Sequence, residues 1–230
     1  MMSGIAWLQK TDPPEALPPT ARALREPNGL LAVGGALTPE WLTHAYRHGV
    51  FPWYSGEQPI LWWAPDPRAV LLPAEFRISR SLARSIRNRG YVTRIDTAFE
   101  PVVEACAGPR RGGAGTWITD EMREAYVALH RHGLAHSIET WHEERLVGGL
   151  YGVALGRVFF GESMFTRERD ASKVTLARLT QECLRLDVAL IDCQLPSPHL
   201  TSLGSRNLKR SEFEARLAAL VDAEPRLWRQ

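Results

Sequence analysis

The sequence predicts an α+β fold in two parts: a small proline- and tryptophan-rich N-terminal domain over residues 1–68 and a larger mixed domain over residues 69–230. Three observations carry the prediction. The first third contains "TDPPEALPPT", "REPNGLLAVGG" and "VFPWYSGEQPILWWAPDPRAVLLP", where closely spaced prolines exclude long helices and central strands. Later, "AHSIETWH", "RLVGGLYGVAL" and "RVFFGESMF" follow one another as β-branched and aromatic runs with glycine at the bends, which reads as an antiparallel meander. Helical patterns lie before and after this meander rather than between its strands, which makes the class α+β.

Within the N-terminal part, Thr38 can cap a helix whose first turn takes Pro39, whose apolar stripe is Trp41, Leu42 and Ala45, and which Gly49 can end. From Phe76, Ile78, Leu82 and Ile86 recur at every fourth position while Arg77, Arg80, Arg84 and Arg87 follow 3-4-3 spacing, which predicts an amphipathic helix with one arginine face. The loop "GPRRGGAGTW" lacks the lysine-serine ending of a phosphate-binding P-loop and reads as a mobile connection. Thr119 can then cap "DEMREAYVALHRHG", with acids at its start, basic residues at its end and Gly133 as its stop. After the meander, Asp170 or Ser172 can cap "KVTLARLTQECLRL", and "VALIDCQ" reads as a further buried strand.

Composition narrows the function classes. A chain with 44% hydrophobic and 23% charged residues is an ordinary folded one, and no apolar run approaches the roughly 18 residues of a membrane span. The N-terminus lacks the basic-then-apolar pattern of a signal peptide, so a cytoplasmic location is expected. Cys106, Cys183 and Cys193 are odd in number and far apart, which argues against a disulfide framework or a zinc site. "HEER" is not H-E-x-x-H, and Gly133 separates His132 from His136; no metal is expected. There is no G-x-S-x-G elbow, which leaves covalent catalysis by serine without support.

The candidate site residues are spread over several segments. Along the strand "LIDCQ", alternation would turn Asp192 and Gln194 to one face and Cys193 into the core. A carboxylate that accepts the amide N–H of Gln194 would leave the amide oxygen for an incoming amine, although an Asp serving only the loop backbone is the competing reading. In "FFGESMF", Glu162 stands among apolar residues, and burying it costs several kcal/mol unless it is paired. It either holds a ligand's ammonium or forms an internal ion pair with an arginine. Trp53, Trp62, Trp63 and Trp117 sit beside glycine- or proline-rich stretches and suit either a ligand pocket or the core. The segment 77–89 has five arginines and no acid, which suits contact with a phosphate backbone as well as plain solvation.

Long blocks, in order, then resemble one family. "REPNGLLAVGGALTPEWLTHAYRHGVFPW", "PILWWAPDPRAVL", "GTWITDEMREAY", "LVGGLYGV", "GESMF", "ASK" and "IDCQ...H..SLG" are similar to the signature blocks of the bacterial leucyl/phenylalanyl-tRNA–protein transferases, over about residues 25 to 205. The resemblance implies a larger domain like the Gcn5-related N-acetyltransferase fold. It implies transfer of leucine or phenylalanine, less readily methionine, from Leu-tRNA or Phe-tRNA to the N-terminal Arg or Lys of a protein, marking that protein for degradation by the N-end rule. It also implies that no cofactor is needed; a monomer is expected. Matched residue by residue, Asp192 and Gln194 take the family's proposed relay, and Glu162 engages the esterified amino acid or the 3′ adenosine. Trp53, Trp117, Tyr126 and Met164, with Tyr46, correspond to the pocket for the apolar side chain and terminal adenine, and Arg80, Arg84 and Arg87 become candidates for the tRNA acceptor stem. An acyl-coenzyme A transferase is the competing enzyme class, but the turn "TRERDASK" before the helix has no glycine with which to cradle a pyrophosphate.

Overall fold

The computed structural model describes residues 4–56, 58–108, 118–224 and 228. The N-terminal prolines leave room only for short strands, and four of them form one sheet: β1 (Ala6–Leu8), β2 (Leu30–Gly34), β3 (Phe51–Pro52) and β4 (Leu61–Trp63), in the order β1-β2-β4-β3. Helix α1 (Pro39–Arg47) lies within this part of the chain, and the Thr38 side chain caps it by accepting from Trp41 N.

The second sheet has the order β11-β5-β10-β9-β8-β7-β6. In chain order its strands are β5 (Arg68–Leu71), β6 (Val92–Ile95), β7 (Ala135–His142), β8 (Arg145–Leu155), β9 (Val158–Thr166), β10 (Leu190–Gln194) and β11 (Arg206–Leu208). The helices α2 (Arg80–Asn88), α3 (Phe99–Ala107), α4 (Asp120–Arg131), α5 (Ala171–Arg185), α6 (Pro198–Ser202) and α7 (Arg210–Leu220) complete the fold. β7, β8 and β9 are the antiparallel meander read from the sequence, and α5 crosses over to place β10 parallel to β9.

Alternation along the strands divides two cores between the faces of this sheet. Tyr151, Val153, Phe160 and Leu190 join α1, α3, α4, α7 and the N-terminal sheet in one core. Leu150, Phe159 and Ile191 join Leu82 of α2 and the inner face of α5 in the other. With both faces covered, the central strands read as nearly continuous apolar runs, which is why "VALIDCQ" looks like a buried strand.

Three expectations are corrected, and one helix is unforeseen. β5 is an interior strand, although proline seemed to exclude one there: Pro67 and Pro73 flank it and interrupt no ladder bond. The arginine-bearing helix starts at Arg80 rather than Phe76, because Ser79 caps it by accepting from Leu82 N, and Ile78 is left 50% exposed outside it. Helix α3 has no sequence signal, since Ala98 gives no side-chain cap and Pro101 sits in the first turn, where its missing N–H costs nothing. Asp170 occupies the N-cap position of α5 without capping it; its carboxylate instead accepts from Ser85 Oγ (2.8 Å) and Lys173 Nζ (3.1 Å).

Candidate active site

The site forms where two neighbouring strands each carry one residue too many. Tyr151 of β8 pairs with Ser163 of β9, yet the next pair is Gly152 with Gly161, so Glu162 is the extra residue of a bulge. On β10, Asp192 pairs with Val70 and Gln194 with Ala69, so Cys193 is extra. A bulge re-aims side chains and bends its strand. Here the two bulges turn Glu162 and Gln194 toward each other across adjacent strands, with Gln194 Nε2 donating to Glu162 Oε1 at 2.8 Å.

The simple alternation expected for Asp192 and Gln194 therefore does not hold. The Asp192 carboxylate accepts the backbone N–H of Gln194 (2.9 Å) rather than its side-chain amide. Both of its oxygens also take the guanidinium fork of Arg68, Nε to Oδ1 at 2.8 Å and Nη2 to Oδ2 at 2.7 Å. Gln194 itself adopts φ 63°, a left-handed conformation uncommon for a side chain of its size. Cys193, expected in the core, packs against the core beneath α5 while only partly buried, and it borders a cavity. Burial and then the nearby Asp192 charge push its thiol pKa up, so it is no ready nucleophile.

Among the described residues Glu162 meets no arginine, contrary to the ion-pair alternative. Its Oε2 accepts from Tyr126 Oη at 2.6 Å, and the Tyr126 and Tyr46 hydroxyls lie 2.7 Å apart. Since Tyr126 donates to the carboxylate, Tyr46 is left to donate to Tyr126. The chain Tyr46, Tyr126, Glu162, Gln194 thus runs from α1 through α4 and β9 to β10. Burial is the main force on Glu162 and raises its pKa from 4.5 to about 7; the tyrosine hydroxyls pull against that rise, and the Asp192 charge adds to it. Burial, followed by the Glu162 charge, also holds both phenols well above their usual pKa, so they remain neutral donors.

Glu162, Met164, Asp192 and Gln194 border one cavity of about 420 Å³, whose apolar lining includes Leu150, Phe159, Leu176 and Leu179. At Met164 this cavity meets an open cleft of about 1200 Å³ bordered by charges of both signs, Arg167, Arg169 and Lys173 beside Glu104, Glu168 and Asp170, and by His199. Tyr46 and Tyr126 lie behind Glu162, fully buried, rather than on the cavity wall. Trp53 lies apart, 40% exposed at the end of the N-terminal sheet and packed on Trp63. Trp117 and the glycine-rich loop at 109–117 fall outside the described residues. Arg80, Arg84 and Arg87 are exposed on α2, and none forms a salt bridge among the described residues. Sequence reasoning missed Arg68; the one available signal was an arginine standing directly before the apolar run "AVLL".

The leucyl/phenylalanyl-tRNA protein transferase family model matches residues 70–218, and the model of that family's N-terminal domain matches residues 35–66. A leucyl/phenylalanyl-tRNA–protein transferase of Azoarcus sp. (strain BH72) is 60% identical over 93% of this chain and 89% of its own, and one of Pseudomonas entomophila (strain L48) is 56% identical over 95% and 96%. Among solved structures, a GCN5-related N-acetyltransferase from Kribbella flavida aligns with a TM-score of 0.41 at 10% identity, over 73% of this chain and 60% of that one. With a family model across most of its length and relatives this similar end to end, the chain belongs to the leucyl/phenylalanyl-tRNA protein transferases, a family of aminoacyltransferases.

Proposed function

We propose that this protein transfers leucine or phenylalanine, and methionine less readily, from aminoacyl-tRNA to the N-terminal Arg or Lys of acceptor proteins, marking them for N-end rule degradation in the cytoplasm. The observation that carries the reading is the apolar cavity with the Glu162–Gln194 pair at its wall. A cavity lined by Leu150, Phe159, Met164, Leu176 and Leu179 suits an unbranched-at-Cβ apolar side chain, whereas a hydroxyl or charge there would be left without a partner.

The chemistry asks little of the protein. The aminoacyl ester is already activated, and the acceptor's α-amine, with a pKa of about 7.7–8.0, is partly neutral at pH 7. The amine nitrogen attacks the ester carbonyl, the bond to the tRNA 3′ oxygen breaks, and the proton given up by the amine passes, directly or through water, to that oxygen. Because Gln194 Nε2 is committed to Glu162, Gln194 Oε1 is the acceptor that faces the amine hydrogen. Glu162, ionised above about pH 7, fixes the amide plane, the role expected of Asp192. A neutral amide is a poor base, so the rate comes mainly from orientation. Arg80, Arg84 and Arg87 are the side chains offered to the RNA backbone.

The test is transfer of labelled leucine from Leu-tRNA to a peptide beginning with Arg, beside the same peptide with its amine acetylated, without ATP or coenzyme A. Label only on the free-amine peptide is expected; label on neither, from a folded preparation, would contradict the reading.

A further inference from the structure

We infer that Arg68 is a positioning residue for the transfer reaction, acting through Asp192 to hold Gln194 in its reactive geometry; this rests on the reading of Gln194 as the acceptor of the amine hydrogen. Arg68 is 1% exposed and Asp192 is fully buried. The guanidinium forks onto both carboxylate oxygens, and its carbon lies over the rings of Phe51 (4.7 Å) and Phe213 (4.8 Å). One ring comes from the N-terminal sheet and the other from α7, so three separate parts of the chain lock this one side chain.

The lock has a direct mechanical consequence. Asp192 Oδ1 also accepts Gln194 N, and that bond closes the turn in which Gln194 keeps φ 63°. The left-handed turn, in turn, aims the Gln194 side chain at Glu162 on the neighbouring strand. Asp192 is fully buried, and three donors, Arg68 Nε, Arg68 Nη2 and Gln194 N, already engage its two oxygens. It orients Gln194 through the backbone and is therefore a positioning residue, not a catalytic one. Arg68 fixes the carboxylate in the single rotamer that can do this, a task for a planar fork that a lysine ammonium cannot copy.

Two variants test the inference. Removing one partner of a buried pair endangers the fold, whereas replacing both by apolar residues of similar volume usually does not. The double variant Arg68→Met with Asp192→Leu is expected to fold, to keep KM for Leu-tRNA within about twofold, and to lose about tenfold or more in kcat. Wild-type kcat in the folded double variant would overturn the inference. Should the double variant not fold, Arg68→Lys decides in the same way: a tenfold loss in kcat at unchanged KM supports the clamp, and an unchanged kcat overturns it. The Gln194 side-chain amide signals in a ¹⁵N–¹H spectrum, identified by their loss in Gln194→Ala, give a readout independent of activity. They are expected to move toward random-coil positions in Arg68→Lys. If the wild type transfers no amino acid at all, the functional reading fails, and unmoved Gln194 signals would then overturn the positioning claim separately.

Discussion

A single buried carboxylate is the most informative residue. The sequence marks Glu162 as out of place in an apolar strand, and its surroundings explain how it is tolerated: two donors, Tyr126 and Gln194, take its two oxygens. Its raised pKa sets the sign of a stability effect. Below about pH 4.5 it is protonated whether the chain is folded or not; between there and about 7 only the folded chain keeps the proton, so stability falls as pH rises, and above 7 the loss is complete. At about 1.4 kcal/mol per pH unit, the difference amounts to roughly 3 kcal/mol. Denaturant unfolding of Glu162→Gln should therefore lack the part of the pH 4.5–7 decline that the wild type shows; parallel pH profiles for the two proteins would remove Glu162 as its source. What could not be read from the residues was that Glu162 and Cys193 are bulged. Gly161 was a hint, since glycine within a strand pattern often marks a bulge, but strict alternation was the simpler reading and it paired Asp192 with the wrong part of Gln194.

At the scale of elements, capping and periodicity were legible where they were strong, as at Thr38 and Thr119, both of which accept the expected backbone N–H. They failed where neighbours decide: β5 gains its central place from β10 and β11, which lie far away in sequence. The β8–β9 bulge depends on Gly152, where an added Cβ would lie 2.2 Å from Phe160 O and 2.6 Å from the Phe159 ring. Gly152→Ala should cost about 3 kcal/mol or more, because the clash is with backbone that cannot give way. A thermal unfolding midpoint within a degree of wild type would show that the strand pair accommodates it. Helix α2 makes a different prediction, since its arginines stand in solvent. Replacing Arg80, Arg84 and Arg87 together by Ala should leave stability nearly unchanged, weaken Leu-tRNA binding, and lower the slope of log K against log salt by about 2–3. An unchanged slope in a salt titration would take α2 out of the RNA interface.

The whole molecule joins at the site. One core runs without a break from Trp41, Tyr46 and Trp62 of the N-terminal part to Tyr126, Tyr151 and Phe160 of the larger sheet, and Tyr46 begins the hydroxyl chain that ends on Glu162. A chain of residues 69–230 alone would expose that core and lose Arg68, Phe51 and Tyr46 together. It should not give soluble, active protein, and a soluble fragment with wild-type transfer would show the N-terminal part to be dispensable. The central claim is that Gln194, aimed by its bulge and by Glu162, receives the amine hydrogen at the mouth of the apolar cavity. The most direct measurement is single-turnover leucine transfer to an Arg-initiated peptide at saturating Leu-tRNA, for wild type and Gln194→Ala. The account predicts a rate lower by about tenfold to a hundredfold with unchanged tRNA affinity and unfolding midpoint; equal rates from two folded proteins would contradict it.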